Sequence, residues 1–316
     1  MKKGLIAWII TAVCLWLTGG IIFVVAFGSA GWKSSAFTSV VVQTETYEEK
    51  EDSPISTLMI DFETADIVVK EGDALSVEYP LIKNRRGKAM NQVTVQDENG
   101  TLSVSDEYTS WGHIGIWGFS DTILTVTIPK GRILSLDWET DTGDVSFAKG
   151  EYTFTAIDIQ TDTGDIQPGA ATVVCETEAL FTTNTGDVDA ENITAQKISV
   201  GTDTGDVELQ NCAATEAIFI ETNTGDVELS GSVVAPTVNV ETDTGDVSTD
   251  ECVLDSESLT FTTDTGDVEI TLAGAASDYT ITVETDTGRS NLTSGGSGSK
   301  KLSITTDTGD IQVRFA

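Results

Sequence analysis

Apolar and polar residues alternate along most of this chain, and the alternation restarts around one recurring phrase, Thr-Asp-Thr-Gly-Asp-Val. Its central glycines are Gly143, Gly164, Gly186, Gly205, Gly225, Gly245, Gly266, Gly288 and Gly309, with gaps of 21, 22, 19, 20, 20, 21, 22 and 21 residues. Counting from the glycine, apolar residues stand at −7 and −5, as in Ile157 and Ile159, Ile198 and Val200, Val238 and Val240, and Ile281 and Val283. Threonine fills −3 and −1 in every copy, and −2 is Asp, or Asn at Asn184 and Asn223. Asp and then Val or Ile usually follow, with another apolar residue two further on, as in Val207 and Leu209, Val227 and Leu229, and Val268 and Ile270.

Apolar residues two apart are strand spacing. The inward set is odd before the glycine and even after it, so the phase reverses at Thr-Gly-Asp, where glycine admits the backbone a corner needs. One unit is strand, corner, strand and a variable return such as Gln210 to Glu216. Such a unit cannot bury its apolar face alone, but stacked units can. The expected fold is all-β: a β-solenoid of the right-handed parallel β-helix type, with about 21 residues per coil and a length of roughly 43 Å over nine coils. An ordinary Greek-key sandwich is the competing architecture, but it does not need the same corner chemistry in every unit. The threonines are expected to face inward as ladders. An ice-binding surface of outward threonines would turn the intervening Asp inward, at a large desolvation cost.

Residues 1–32 differ from the rest. Lys2 and Lys3 precede an uncharged run from Gly4 to Trp32, long enough to cross a bilayer as a single N-terminal transmembrane helix. The charge placement keeps the N-terminus inside and sends the bulk out. A signal cleaved near Gly28-Ser29-Ala30 is the competing reading, with the same consequence for the bulk. Val13 before Cys14 argues against a lipid-attachment site. Residues 33–54 read as a linker in which Ser39 to Gln43 has some strand character. Residues 55–130 read as irregular β coils and a cap, and residues 131–316 as the regular solenoid with nine repeats.

Within 55–130, Glu63-Thr64-Ala65-Asp66-Ile67 is a degenerate copy of the phrase, and Asn99-Gly100 signals a hairpin. The succession Ile60-Asp61-Phe62, Thr64-Ala65-Asp66-Ile67, Val77-Glu78-Tyr79-Pro80, Gly100-Thr101-Leu102, Val126-Thr127-Ile128-Pro129 and then serial Thr-Gly-Asp-Val resembles a bacterial β-strand-repeat family of unknown function whose members are called "putative adhesin". The resemblance covers about residues 55–316. It implies a membrane-anchored envelope protein, some relatives being encoded beside envelope-stress genes, and it carries over no catalytic residue. The chain departs from the family in the regularity of its repeats and in the insert from Trp111 to Phe119.

The net charge is −34, with 51 Asp and Glu against 17 Lys and Arg, which excludes nucleic acid as a partner. Two acidic columns, at −2 and +1, supply much of it. Carboxylates one strand apart repel by about 0.9 kcal/mol in water, tolerable only on a wet face. Two roles are open for Asp162, Asp165, Asp203, Asp206, Asp243, Asp246, Asp264 and Asp267: bonding nearby backbone N–H groups, or binding calcium between coils. The spacing lacks the Gly-Gly-x-Gly-x-Asp pattern of calcium β-rolls. Arg289 stands in the +1 column, where sequence order puts it between Asp267 and Asp310.

The lone histidine, His113, has no partner set for a triad or zinc site. Coils of 19–22 residues leave no long loops to wall a cleft, so an enzyme is not expected. Cys212 and Cys252 lie about 9.6 Å apart by strand spacing, beyond disulfide reach, and these two and Cys175 are expected to be free and buried. Lys83-Asn84-Arg85-Arg86-Gly87-Lys88 is a basic spot, a solvated turn or a contact with lipid headgroups. Trp111, Trp117 and Phe119 are read as capping the solenoid end, or as gripping a partner. No cofactor is expected, calcium apart.

Together these readings describe a non-enzymatic, single-pass cell-membrane protein, its C-terminal bulk extracytoplasmic, serving as an adhesin or envelope scaffold. Its expected partners are the membrane, an envelope protein or wall polymer, and a second copy end to end through an open last strand. The alternatives are a sensor or regulator of an envelope-stress response and a calcium-dependent polysaccharide binder or lyase.

Overall fold

A computed structural model describes residues 40–50, 52–84, 86–108 and 122–316. The expected transmembrane helix, Arg85, His113, Trp111, Trp117 and Phe119 lie outside the described residues. No helix among the described residues is long and apolar enough to cross a membrane.

The repeats begin with β8 (Ile133–Thr142) and β9 (Val145–Phe147), then β10 (Glu151–Thr163) and β11 (Ile166–Gln167), after the N-terminal strands β1 to β7 described below. They continue as β12 (Thr172–Cys175), β13 (Glu178–Thr185) and β14 (Val188–Glu191), β15 (Ile193–Thr204) and β16 (Val207–Gln210), and β17 (Ala213–Thr224) and β18 (Val227–Ser230). The last are β19 (Thr237–Thr244) and β20 (Val247–Asp250), β21 (Ser258–Thr265) and β22 (Val268–Leu272), β23 (Tyr279–Thr287), and β24 (Lys300–Thr308) and β25 (Ile311–Phe315). Strands before each corner stack into a 13-stranded sheet, here sheet I, and those after it into a 12-stranded sheet II. Pairing between repeats is parallel and position for position, as in Thr161 with both Thr140 and Thr183, or Val207 with Val227.

That register stacks like side chains in columns. The −7 and −5 residues and the +2 and +4 residues are buried, as at Ile198, Val238, Val207 and Leu229, where the hydrophobic effect acts along the whole stack. The return segments form a third wall, burying Tyr152, Phe154, Val173, Ile193, Leu254 and all three described cysteines, which are free as expected. β-Bulges at Phe154/Ala156 and Ala195/Lys197 turn the chain from this wall into sheet I.

Each corner glycine is needed for a contact. A Cβ on Gly205 would lie 1.9 Å from the carbonyl oxygen of Gly186, and one on Gly225 would lie 1.8 Å from that of Gly205. Gly143 rests in the same way on Ala65. Ala65 is tolerated because it ends the column, the next coil entering its strand through Thr122.

The threonines divide. Those at −3, Thr140 and the half-buried Thr285 apart, are buried and donate to the corner carbonyl of the adjacent coil, as Thr183 to Gly164 at 3.0 Å, Thr202 to Gly186 at 3.0 Å and Thr263 to Gly245 at 3.1 Å. Those at −1 are exposed. The expected inward double ladder is therefore half right, because the backbone leaves strand phase at −2 rather than at the glycine. Thr140 sits above Ala65, and among the described residues its buried hydroxyl has no partner.

Stacking order departs from chain order at both ends. β24 and β25 pair with β21 and β22, and β23 pairs outside β24, so the final repeat is inserted beneath the one before it. Arg289 consequently lies beyond Asp310 at the end of its column, not between Asp267 and Asp310. The expected open C-terminal edge is capped. Ile281 and Gly295 exchange backbone hydrogen bonds of 2.7 and 2.8 Å, Ser294 Oγ meets both polar groups of Val283, and the Asn291 amide does the same for Val313.

At the N-terminal end, β2 (Thr57–Thr64) and β3 (Asp66–Gly72) form a parallel coil between β8–β9 and the pair β6 (Thr101–Tyr108) and β7 (Ile123–Pro129). β4 (Ser76–Asn84) and β5 (Asn91–Glu98) close this end antiparallel, with Asn99-Gly100 as the expected hairpin, both residues at positive φ. The parallel β-helix thus carries an antiparallel cap. Buried Asn91 and Asp106 pin it: Asp106 accepts from Glu63 N and Asn91 Nδ2, and Asn91 also bonds Ile82 N and Pro80 O.

The expected linker 33–54 is in part a strand. β1 (Val40–Glu48) pairs antiparallel with β4. Tyr47 donates to Asp97 at 2.7 Å, and Glu49 joins Arg132 at 2.6 Å.

Two substitutions test the corner contact. Gly205→Ala is expected to lose about 3 kcal/mol in chemical denaturation, because backbone must move to admit the methyl. Ala65→Gly, at the end of the column, should lose no more than about 1 kcal/mol.

Candidate functional site

The acidic corner column is explained by its bonds. At +1, each Asp Oδ1 accepts the backbone N–H of the next Asp in the stack, through Asp66, Asp144, Asp165, Asp187, Asp206, Asp226, Asp246, Asp267 and Asp310, at 2.6–3.1 Å. Arg289 N–H ends the series on Asp310 at 2.8 Å, and its guanidinium pairs with the same carboxylate at 2.5 Å. That pairing holds the Asp310 carboxyl below its ordinary range. The bonds run from coil to coil, so the column is a ladder outside the sheets.

The calcium candidates fall in two rows on this exposed edge. Asp165, Asp206, Asp246 and Asp267 each commit one oxygen to the ladder. Asp162, Asp203, Asp243 and Asp264 are exposed at −2. Asn184 and Asn223 donate there to Asp162 at 2.9 Å and Asp203 at 3.2 Å, replacing repulsion with a hydrogen bond. Among the described residues no three His, Cys, Asp or Glu side chains converge to hold a metal.

The outer face of sheet II is also acidic. Asp189, Glu208 and Glu228 stand in one register column. Partial burial, then repulsion from Glu208 and other neighbouring carboxylates, raises the pKa of Asp189 and Glu228.

The outer face of sheet I holds a groove of about 330 Å³ centred on Gly201. Two register columns form it: Leu180, Ser199, Phe219 and Asn239, and beside them Thr182, Gly201, Glu221 and Glu241. Phe219 is 38% exposed, with Lys197 Nζ 5.1 Å from its ring centre. Lys197 also pairs with Glu178 at 2.7 Å, which lowers the Glu178 pKa. Gly201 does not have positive φ, and a Cβ there would meet nothing closer than 3.8 Å. A strand-interior glycine weakens a strand, and here the fold does not require it. The sequence carried a signal for this groove: Gly201 interrupts a column of Thr and Glu, and Phe219 stands in a column between Ser199 and Asn239.

The basic spot is a turn at the far end of the corner edge. Gly87 has φ 79°, and Asn84 Oδ1 accepts from both Arg86 N and Lys88 N. The buried thiols are poor nucleophiles, that of Cys212 being pushed up to about 11 by burial.

A family model described as Toastrack DUF4097 matches residues 55–314. Among solved structures, the chain is similar to a "putative adhesin" from Bacteroides fragilis NCTC 9343, at 19% identity and TM-score 0.45, covering 86% of this chain and 97% of that one. It is also similar to a "putative lipid binding protein" from Parabacteroides distasonis ATCC 8503, at 15% identity and TM-score 0.47, with 86% and 97% covered. A "putative adhesin" from the latter organism matches at 11% identity and TM-score 0.44, with 87% and 97% covered. None of the curated proteins matches the chain.

The ladder predicts that Asp206→Asn, which keeps an acceptor, leaves Tm unchanged or higher, while Asp206→Ala loses about 1 kcal/mol by orphaning Asp226 N–H. Calcium should move Tm of the wild type no more than magnesium at equal ionic strength. A pH series gives a second test. Raised carboxylate pKa values at Asp106, Asp189 and Glu228 mean that the folded state holds protons more tightly than the unfolded one. This contribution is full below the unfolded values of about 4 and is lost as pH rises through the folded ones. Tm should therefore climb as pH falls from 7 toward about 4.5. Below that it should drop, as Asp97, Glu178 and Asp310, whose pKa values are lowered, become protonated. Asp189→Asn should flatten the upper limb.

Proposed function

The chain belongs to the Toastrack family DUF4097, and on that premise we propose that it is a non-enzymatic, membrane-anchored rod that contacts a cell-envelope component through the outer wall of sheet I. The apolar run from Gly4 to Trp32 behind Lys2 and Lys3 supplies the anchor and sets the bulk outside the cytoplasm. The groove at Gly201 carries the reading. A rigid, hydrogen-bonded wall presents a half-exposed aromatic ring beside the carboxylates of Glu221 and Glu241, and the dent is left open by a glycine that neither backbone conformation nor crowding demands. Aromatic rings flanked by hydrogen-bonding groups are effective contact anchors, because little side-chain entropy is lost on binding. A wall polymer and an envelope protein both offer groups that fit this chemistry.

Substitution at Gly201 separates contact from folding. Gly201→Thr should raise stability by about 0.5–1 kcal/mol, since threonine suits a strand better than glycine, while filling the groove. Full-length wild type in detergent is expected to co-sediment with isolated cell-wall sacculi or envelope fragments, and the variant to do so several-fold less. Equal sedimentation of the two proteins would remove the groove from the contact. An alkaline phosphatase domain fused after Ala316 should be active in a bacterial host, and an inactive fusion would sink the extracytoplasmic placement.

A further inference from the structure

We infer that the β4–β5 turn, through Lys83, Arg86 and Lys88, docks on anionic lipid headgroups and so fixes the near end of the rod at the membrane surface. The inference rests on the membrane-anchored reading above and adds a surface to it. Three observations place the turn. First, β1 pairs with β4 so that Val40, where the described chain begins, lies opposite Asn84 in the turn. Seven residues, 33–39, separate Val40 from the apolar run ending at Trp32, so Val40 can lie no more than about 29 Å from the end of that run and the turn about one strand spacing further. Second, β4 is antiparallel to β7, which puts the turn on the corner side, at the end of the aspartate ladder that starts with Asp66. Third, the turn is built to present its charges. Asn84 accepts from two turn amides, Gly87 takes the positive φ, and Arg86 and Lys88 are exposed.

Charge distribution selects the partner. The protein carries −34 overall, and its corner edge is a continuous line of carboxylates that an anionic surface repels. The basic turn at one end of that edge is attracted to the same surface. Both forces turn the molecule the same way, with the turn down and the acid columns pointing away from the headgroups, and both act within a Debye length of about 8 Å. Lys83, half-buried, donates one Nζ hydrogen bond to Gln43 at 2.7 Å, and an ammonium has two further donors to offer a headgroup.

The test uses full-length protein in lipid nanodiscs of phosphatidylcholine alone or with phosphatidylglycerol. Lysine acylation is read by mass spectrometry, with exposed Lys301 at the opposite end of the rod as internal reference. In anionic discs, Lys83 and Lys88 are expected to react about threefold or more slowly relative to Lys301. The protection should vanish in phosphatidylcholine discs and in about 0.5 M NaCl. Arg86→Glu should weaken it, and Arg86→Lys should keep it. Soluble glycerol phosphate in place of anionic lipid should give no protection; protection by it would assign the turn to phosphate in solution and overturn the lipid assignment. Equal reactivity in both disc types, with the protein inserted, overturns this inference alone. Failure to co-purify with discs of either composition overturns the anchored reading and this inference with it.

Discussion

One contact organises the structure: at each of the nine corner glycines a bare Cα lies against the carbonyl of the adjacent coil. A side chain there would overlap backbone, 1.8–2.1 Å from an oxygen at each stacked corner, and backbone cannot swing aside as a lysine tip can. The coils approach closely enough for three ladders to share one edge. Backbone bonds run from glycine N–H to the next threonine carbonyl, −3 hydroxyls reach the corner carbonyls, and +1 carboxylates reach the next amide. Remove the close approach and the hydroxyl and carboxylate bonds lengthen together. The phrase is therefore constrained at −3, at the glycine and at +1, while the return segments between phrases vary more in sequence.

This explains which parts of the fold were legible in the sequence. Strand phase, corner position, burial of the apolar columns and the free thiols follow from alternation and period, because each is decided within one repeat or between identical repeats. Stacking order at the ends is different. At the glycine contact alone, the corner of Gly309 fits beneath that of Gly288 as well as above it, but the coil of Gly288 carries Arg289 where the others carry the ladder Asp, and so has no carboxylate to accept Asp310 N–H. The glycines are neutral between the two orders, whereas Arg289, a donor with no acceptor to pass on, belongs at the end of the ladder. The choice is made by the segment 289–299, whose Asn291 and Ser294 serve as side-chain substitutes for a further strand, and such substitutions have no period to reveal them. The same holds for Asn91 and Asp106 in the N-terminal cap, an isolated buried pair.

The acidity follows from the same geometry. Carboxylates stacked at strand spacing repel, yet the +1 column recovers a charge-assisted hydrogen bond from each member, and the −2 column is interrupted by Asn184 and Asn223 acting as donors. On sheet II the relief is partial: Gln167 donates to Asp189 at 3.0 Å and Ser230 to Glu208 at 3.4 Å, yet partial burial, and then repulsion between neighbouring carboxylates, raises the pKa of Asp189 and Glu228. Acidic residues thus play two unlike parts on one molecule, a structural ladder at the corner and a partly relieved surface charge on the wall.

A repeat that meets its own structural demands has little sequence left for specific recognition, since a column of identical side chains cannot distinguish one coil from another. Specific contact must then come from positions where the repeat is broken without structural need. By that criterion the corner glycines, the −3 threonines and the +1 aspartates are accounted for by their neighbours in the stack. Gly201 and Phe219 are not, and neither are the exposed charges of the basic turn, Arg86 and Lys88. The two departures lie on different parts of the molecule, the turn on the N-terminal cap and the groove on the wall of the stack. Their separation suits a protein that is held at one place and makes contact at another, with a stiff ladder of hydrogen bonds fixing the distance between them.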